Sequence, residues 1–321
     1  MRKRIKRTDD YEITIGQAYQ DFMVEKEAMN LSVPSLKNYE QTITLFKRFN
    51  ELTDDTPITD ITQQHIYKWI NTLRLEGLRP TSINHYLSDI RCFLYWCMAE
   101  ERKYLNRFKI ELVKHQEESF KMFSDEELLA LLERPKKNDN YATWRSWAVV
   151  NWVLGTGNRA ATIVNVKIGD INYNRKEITL RHTKNKKASI VPLSSSLESV
   201  IKEFVRMWRR DATEDDYLFA NISDEQLTTD ALRQSFTVFC KDREVSRHNI
   251  HGLRHNFAKE WVQNNGNMFA LQKVLGHSTL DMTRRYVRLF SEDIKEDYDK
   301  FSALDNIKRN SKRKQKVKRN D

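Results

Sequence analysis

The pattern of apolar and polar positions predicts a chain that is largely helical. Between Thr81 and Glu100 apolar residues return every three or four positions, which puts them on one face of a helix. That face carries Ile83, Tyr86, Leu87, Ile90, Leu94, Cys97 and Met98. The same spacing predicts two helices within residues 11–50 and a third over Thr59–Leu73. The second helix is expected to begin at Ser32–Ser35, because Pro34 is favoured in a first helical turn.

The second half of the chain adds the one strong β pattern to further helices. Ser124 and Glu127 have the spacing of a capping box, so a helix is expected to begin there. Three short apolar runs then predict a small sheet: Val166–Asn172, Glu177–His182 and Ala188–Leu193. Helices are expected at 125–133, 141–154, 195–209, 229–241, 251–264 and 268–275. Gly276 is expected to end the last of these, and another helix to begin near Ser278.

These elements predict two folded domains between polar ends. The fold class expected is mainly α, with an N-terminal helical bundle over residues 10–103 and an α+β domain over residues 123–305. The second domain is expected to contain a small three-stranded antiparallel sheet. A basic linker is expected at 104–122, where the helical pattern lapses. Residues 1–9 and 306–321 are expected to form basic tails.

Net charge bears on whether the protein binds DNA, and cysteine content bears on its cellular compartment. The chain has 321 residues and a formal net charge of +10, but much of the positive charge lies in the two tails. Net charge alone therefore does not establish DNA binding by the body, and the tails either attract phosphate or act as solvated ends. Three cysteines without a Cys-x-x-Cys pair argue against a disulfide framework or a zinc site and favour a reduced, cytoplasmic protein. Neither a signal peptide nor a membrane span is predicted.

Six residues capable of chemistry follow one another in the second half. They are Arg159 in Thr156-Gly157-Asn158-Arg159, Lys184 eight residues ahead of Pro192, His251 and Arg254 in His251-Gly252-Leu253-Arg254-His255, His277 after Leu275-Gly276, and Tyr286. In this order and spacing the chain resembles the tyrosine recombinases, also called phage-type integrases. The resemblance is close over about residues 123–305 and looser over about residues 10–103.

The resemblance implies a site-specific recombinase that acts on double-stranded DNA. The N-terminal half is then a SAM-like core-binding domain, and the two domains form a clamp around the duplex. Strands are cut and rejoined through a 3′-phosphotyrosyl intermediate and a Holliday junction, without metal, ATP or another cofactor. Four subunits act together on two sites in the cytoplasm, at the nucleoid. A final helix, with apolar residues from Phe290 to Leu304, packs either in cis or onto a neighbouring subunit.

The residue types suit this chemistry on physical grounds. Arg159 and Arg254 carry permanent, fork-shaped charges that bind phosphate oxygens in pairs. Tyr286 is the candidate nucleophile, and because an unperturbed phenol has a pKa of about 10 it needs a proton acceptor, for which His251 is the candidate. Lys184 is the candidate acid that protonates the leaving 5′-oxygen. The sixth residue, His277, is expected to bind the phosphate or to position the tyrosine.

Several alternatives compete with these roles. Taken alone, Arg159 is better explained by an ordinary salt bridge. Lys186 and Lys187 compete with Lys184, although the spacing to Pro192 favours Lys184. The histidines at 251 and 255 have the spacing of a metal pair, but an arginine between them disfavours a cation. His255 is therefore interpreted as a structural neighbour. Thr162 stands where the family often has an acidic residue, which puts the support of the site in question.

The DNA contacts expected outside the six residues come from two regions. Asn84, His85 and Arg91 lie on the polar face of the helix predicted over 81–100, and Arg107 and Lys109 lie in the expected linker. An ordinary solvated face is the competing interpretation. Two other functions compete with recombination: a type IB topoisomerase-like nicking and closing enzyme, and a non-catalytic DNA-binding protein. The second has no need of all six residues.

Overall fold

The computed structural model describes residues 12–114, 120–181 and 188–290. The chain divides into two compact units, Met1–Glu118 and Ser119–Asp321. The expected basic tails, Lys184 and the expected final helix beyond residue 290 lie outside the described residues. No helix among the described residues is long and apolar enough to cross a membrane. The mainly α fold with a small antiparallel sheet is confirmed.

Four α-helices form the described part of the first unit: α1 (Ile15–Ala28), α2 (Val33–Asn50), α3 (Gln63–Leu75) and α4 (Pro80–Cys97). Their apolar faces meet in one core, in which the ring of Phe46 packs edge-on against that of Trp69 with centroids 5.1 Å apart. The residue before α2 is Ser32, as the position of Pro34 predicts. The third helix begins four residues later than expected, because Ile58–Asp60 forms a separate 3₁₀ turn.

Residues 104–114, expected to belong to a linker, pack against the first unit. Leu105 and Ile110 are buried in its core, because the segment alternates apolar residues with its basic ones. The side chain of Asn84 donates to the carbonyl of Val113 at 2.9 Å and accepts from its amide at 2.7 Å. Asn84 was expected to reach DNA. Its amide instead fastens this segment to α4, because both of its polar atoms find backbone partners there.

Eight helices and a sheet form the described part of the second unit. The helices are α5 (Asp125–Leu132), α6 (Tyr141–Thr156), α7 (Ala160–Ile163), α8 (Ser195–Trp208), α9 (Thr229–Asp242), α10 (Ile250–Gln263), α11 (Met268–Leu275) and α12 (Leu280–Phe290). The strands are β1 (Ile171–Asn172), β2 (Glu177–Leu180) and β3 (Ser189–Pro192), paired antiparallel in that order. The capping box of Ser124 and Glu127 begins α5 as predicted.

Some element boundaries of the second unit differ from those that the sequence pattern predicts. The strand expected over Val166–Asn172 is only two residues long, because residues 166–169 bond to the backbone of the loop at 214–218. The backbone amide of Leu218, for example, donates to the carbonyl of Val166 at 2.8 Å. The last helix was expected near Ser278 and begins at Leu280.

The chain enters the second unit through a segment that crosses α10. The side chain of Asn256 donates to the carbonyl of Phe123 at 2.8 Å and accepts from its amide at 2.9 Å. One turn earlier, Gly252 makes room for the crossing: a Cβ there would lie 2.8 Å from the carbonyl oxygen of Lys121. These contacts fix the direction of the segment and place Phe120 beside α10 and α12.

Candidate active site

The two arginines of the site are positioned by helix ends. Gly157 ends α6 in the left-handed conformation, with φ of 64°, and Arg159 follows it directly before α7. Residue 157 must be glycine for two reasons. Other residues rarely adopt this backbone conformation, and a Cβ at residue 157 would lie 2.6 Å from the ring of Phe257. Arg254 lies on the buried face of α10 and donates to the Gly157 carbonyl at 2.7 Å. The Thr-Gly-Asn-Arg turn and α10 are thus joined at the site.

The guanidinium groups of Arg159 and Arg254 converge on the end of α11. Both donate to the carbonyl of Leu275, at 3.3 Å and 2.9 Å respectively, and Arg159 also donates to Gly276 at 3.5 Å. Among the described residues, no carboxylate lies within salt-bridge distance of either group. Burial and the charge of Arg159 lower the pKa of Arg254 to about 10, so it remains charged at neutral pH. Two cations without an anionic partner form a site for an anion.

His277 is held in one orientation by two hydrogen bonds. Gly276, in the left-handed conformation, ends α11 as predicted and turns the chain so that this imidazole lies beside Arg254. The guanidinium of Arg254 donates to Nε2 of the imidazole at 2.9 Å, because a guanidinium has no acceptor. The proton of the neutral ring is therefore on Nδ1, which donates to the hydroxyl of Thr283 at 2.8 Å. Burial, then Arg254 and Arg159, lower the pKa of His277 to about 4.

Tyr286 lies on α12 with its hydroxyl inside the site. The phenol is 3% exposed, and Oη lies 2.8 Å from Nδ1 of His255. Burial raises the pKa of Tyr286 above its ordinary value, against the opposing effect of Arg254 and Arg285. Phe120 covers both partners: its ring stacks on the imidazole of His255 with centroids 4.3 Å apart and on the phenol at 4.5 Å.

The order of the sequence motifs did not predict the contact between His255 and Tyr286. His251, the expected proton acceptor, is more exposed, and its ring meets the edge of the His255 ring with centroids 4.6 Å apart. Desolvation, then Arg254 and Arg159, lower the pKa of His251 to about 4. The spacing of residues 251 and 255, one helical turn apart, was the signal that both rings face one pocket.

A single cavity of about 450 Å³ unites five of the six expected residues. They are Arg159, His251, Arg254, His277 and Tyr286. The cavity is also lined by Phe120 and His255, which sequence reasoning did not assign to the site. Lys184, the sixth, lies outside the described residues. Thr162 is buried on α7, three residues after Arg159.

Of the residues expected to contact DNA in the first unit, three are exposed and two, Asn84 and Arg91, are half-buried. His85 is exposed and lies 3.8 Å from Asp89. Arg91 lies over the ring of Tyr95, with its guanidinium carbon 5.4 Å from the centroid. The two basic residues of the packed segment form exposed ion pairs: Arg107 with Glu100 at 3.1 Å, and Lys109 with Glu111 at 2.7 Å. Exposed pairs of this kind exchange readily with other charges.

Comparison with known proteins assigns this arrangement to a family. The profile of the phage integrase family matches residues 121–293, more than half of the chain, and the matched range includes both arginines, the three histidines and Tyr286 of the cavity. The chain belongs to the phage integrase family. The profile of the N-terminal SAM-like domain of phage integrases matches residues 18–101 of this integrase. The resemblance that the motifs indicated is thereby confirmed.

Related proteins and structures extend over both units of this integrase. Tyrosine recombinase XerC of Listeria monocytogenes serovar 1/2a is 26% identical over 292 residues, which cover 89% of this chain and 96% of that protein. Tyrosine recombinase XerC of Staphylococcus carnosus is 24% identical over 268 residues, which cover 82% and 89%.

Two solved structures share the fold. One is the Tn1549 transposon integrase in complex with a circular intermediate DNA, with a TM-score of 0.70, 16% identity and coverage of 85% of this chain and 95% of that one. The other is the XerH site-specific recombinase bound to a palindromic difH substrate, with a TM-score of 0.68, 20% identity and coverage of 87% and 83%.

Proposed function

We propose that this chain is a site-specific DNA recombinase that cuts and rejoins strands through a 3′-phosphotyrosyl bond to Tyr286. The observation that carries the proposal is one cavity lined by that phenol and by the guanidinium groups of Arg159 and Arg254. Neither guanidinium has a carboxylate partner among the described residues, so both are available to a phosphodiester. Guanidinium forks stabilise the charge that develops on the two non-bridging oxygens.

The attack is a displacement at phosphorus. A bond forms between Oη of Tyr286 and the phosphorus, and the bond to the 5′-oxygen breaks. Nδ1 of His277 carries the proton and donates it in a hydrogen bond to the Thr283 hydroxyl. Nε2 is therefore an acceptor, and it orients Arg254 by accepting a hydrogen bond from the guanidinium. Because the linkage to DNA conserves the energy of the phosphodiester, a 5′-hydroxyl rejoins the strand by the reverse reaction without ATP.

The leaving 5′-oxygen needs a proton, and we propose that Lys184 donates this proton. In the sequence this residue stands between β2 and β3, and β3 lies within contact of α11, which ends at the cationic pair. A compact ammonium suits proton donation to an oxygen on which negative charge develops. Lys186 and Lys187 are the alternatives between the same two strands.

The first unit is proposed to bind the DNA duplex. The match of residues 18–101 to the SAM-like domain of phage integrases supports this role. His85 and Arg91 on α4, with Arg107 and Lys109 on the packed segment, are the proposed contacts. Lambda integrase has been solved as a tetramer bound to a Holliday junction, which supports a tetramer for this chain on paired sites. Its place of action is then the cytoplasm, at the nucleoid.

Covalent capture tests the proposal. Nicked duplexes of randomised sequence, from which the fragment carrying the 5′-hydroxyl is lost after cleavage, are incubated with the protein and separated under denaturing conditions. The wild-type chain is expected to become attached to a restricted set of sequences, and Tyr286→Phe is not. Attachment through another tyrosine contradicts the site assignment. Relaxation of any supercoiled DNA without preferred sequences favours the topoisomerase-like alternative.

A better leaving group tests the role of Lys184. Lys184→Ala is expected to lose cleavage of the ordinary captured duplex and to regain it when sulfur replaces the 5′-bridging oxygen, because a thiolate leaves without a proton. Lys186→Ala and Lys187→Ala are the matched controls and are expected to cleave both substrates. If either control variant loses cleavage of the ordinary duplex and regains it with the sulfur substrate, the proton donor is the lysine that was replaced in that variant.

A further inference from the structure

The nucleophile of the proposed reaction makes its hydrogen bond with a histidine outside the motif set. Nδ1 of His255 lies 2.8 Å from Oη of Tyr286. The imidazole of His251 meets that of His255 edge-on, with ring centroids 4.6 Å apart. Proton transfer needs a partner within hydrogen-bond distance of the group that loses the proton. In this arrangement His255 satisfies that requirement.

The position of His255 is built into the fold. It lies on α10 between Arg254, fastened to the carbonyl of Gly157, and Asn256, fastened to the backbone of Phe123. Its imidazole is then covered by the ring of Phe120, which also lies over the phenol. The nearly parallel stack of Phe120 and Tyr286, 15° apart, restricts rotation of the phenol away from Nδ1. A contact supported on both sides is not an accidental surface contact.

We propose that His255 is a catalytic residue that accepts the hydrogen bond of the Tyr286 hydroxyl and takes up its proton during attack, with Phe120 as the positioning residue. This inference rests on the proposed recombinase function. The imidazole carries its own proton on Nε2, so that Nδ1 offers a lone pair to the phenol. His251 is left to bind the phosphate or to stabilise the charged neighbour.

The step balances within the pocket. As the bond from Oη to phosphorus forms, the phenolic proton moves to Nδ1 and gives an imidazolium. The bond from phosphorus to the 5′-oxygen breaks, and the proposed lysine donor supplies the proton of the leaving hydroxyl. When a 5′-hydroxyl later attacks the phosphotyrosine, its proton goes to the lysine that the first step left neutral, and Nδ1 of His255 returns its proton to the departing phenolate. No group from outside the protein and the DNA is required.

The charges around His255 link proton uptake to phosphate binding. Burial lowers its pKa to about 3, and the charged or titratable groups that face it act in the same direction: His251, Arg254, Arg285 and His277. The empty site therefore holds the imidazole neutral and the phenol protonated. A phosphate bound between the arginines offsets their positive charge and raises the basicity of Nδ1. Tyr286 is thus activated after the DNA phosphate has arrived, and the free protein keeps an unreactive phenol.

Two substitutions at residue 255 separate proton uptake from mere positioning. His255→Phe keeps the ring stack and removes the acceptor. His255→Asn puts an amide near the place of Nδ1, which can hydrogen-bond to the phenol but cannot take its proton. Single-turnover attachment to a captured nicked duplex is measured from pH 6 to pH 10, with DNA binding measured separately. His251→Phe is the matched control on the same helix face.

Both variants at residue 255 are expected to attach at least about 10²-fold more slowly at pH 7, with DNA binding changed less than about threefold. Their rates should rise toward that of the wild type at high pH, because hydroxide replaces the missing acceptor. His251→Phe should show no such recovery. Attachment by His255→Asn at the wild-type rate, or a pH-dependent deficit in His251→Phe alone, overturns the proposal.

A measurement without DNA keeps this inference separate from the proposed function. The Cζ resonance of Tyr286 is identified in tyrosine-labelled protein by its loss in Tyr286→Phe. His255→Phe is expected to move this resonance and its ionisation midpoint further than His251→Phe does, because only His255 is hydrogen-bonded to the phenol. An unmoved resonance in His255→Phe overturns the inference. Failure of the wild-type chain to attach to any duplex, with the resonance moving as expected, counts against recombination alone.

Discussion

The guanidinium of Arg254 donates to Nε2 of His277 at 2.9 Å, and this contact determines which nitrogen of the imidazole carries the proton. Since the guanidinium can only donate, Nε2 accepts and Nδ1 is protonated. The Nδ1 proton goes to the buried hydroxyl of Thr283 at 2.8 Å. A threonine on α12 therefore orients a histidine that in turn orients an arginine of the anion site.

Removal of the Thr283 hydroxyl is expected to weaken both the fold and the reaction. Thr283→Val keeps the shape of the fully buried side chain but leaves Nδ1 of His277 without an acceptor, at a cost of about 1–3 kcal/mol. Thr283→Ser retains the hydroxyl and is the control. Chemical denaturation and single-turnover attachment to DNA measure the two effects. A valine variant as stable and as active as the serine variant would show that the tautomer has no role.

Replacement of Arg254 by lysine is expected to abolish most activity without removing the charge. One ammonium cannot bind the Gly157 carbonyl, the Leu275 carbonyl and His277 together, as the guanidinium does at 2.7–2.9 Å. We expect the attachment rate to fall roughly 10²–10³-fold. Arg233→Lys, which alters an exposed pair with Asp230, is the matched control and should react like the wild type. Equal rates for the two variants would contradict the role of the fork.

Acid is expected to destabilise the second unit through its neutral histidines. The folded pKa values of His251 and His277 are about 4 and that of His255 is about 3, below the 6.5 of an unperturbed histidine. The unfolded chain therefore binds more protons in this range. The stabilisation from the neutral rings is complete above pH 6.5 and is lost as the pH falls toward 4 and then 3.

Denaturation at pH 7 and pH 4.5 measures this effect. The loss of unfolding free energy is expected to be roughly 2 kcal/mol smaller in His277→Phe than in the wild type, because one titrating ring has been removed. His248→Phe is the control, since this histidine precedes α10 and does not line the cavity. Histidine Cε1 resonances that titrate near pH 6.5 at all three positions would contradict the folded pKa values.

Gly252→Ala is expected to disturb the nucleophile from a distance. A Cβ at this position would lie 2.8 Å from the Lys121 carbonyl and 2.9 Å from the ring of Phe123, so the crossing segment must move. We expect a loss of about 1–3 kcal/mol in stability and faster amide exchange at residues 120–123. Glu260→Ala, on an exposed position of the same helix, is the control. Unchanged exchange in Gly252→Ala would show that the segment is not held by this close approach.

Local signals predicted most helices of this protein correctly. The capping box at Ser124 and the glycine cap at Gly276 occur as expected because each is decided by residues a few positions apart. The strand expected from Val166 fails for the opposite reason. Its backbone pairs with residues about fifty positions later, a competition that apolar alternation does not reveal.

The same difference between local signals and long-range contacts decides which features of the candidate site could be predicted. Motif order and chemistry identified Arg159, Arg254 and Tyr286, and one cavity contains all three. The roles of Phe120 and Asn84 could not be foreseen, because each depends on a partner from another element. Histidines at both ends of a helical turn were visible in the sequence. Which of them reaches the phenol depends on the angle between α10 and α12, and that angle is set by packing.

The carboxyl end of α11 anchors the two arginines of the site. The Leu275 oxygen, at the negative end of the helix dipole, accepts hydrogen bonds from both guanidinium groups. This peptide oxygen holds two like charges side by side. A phosphate that binds to the pair replaces one set of oxygens by another and does not have to bring the two arginines together.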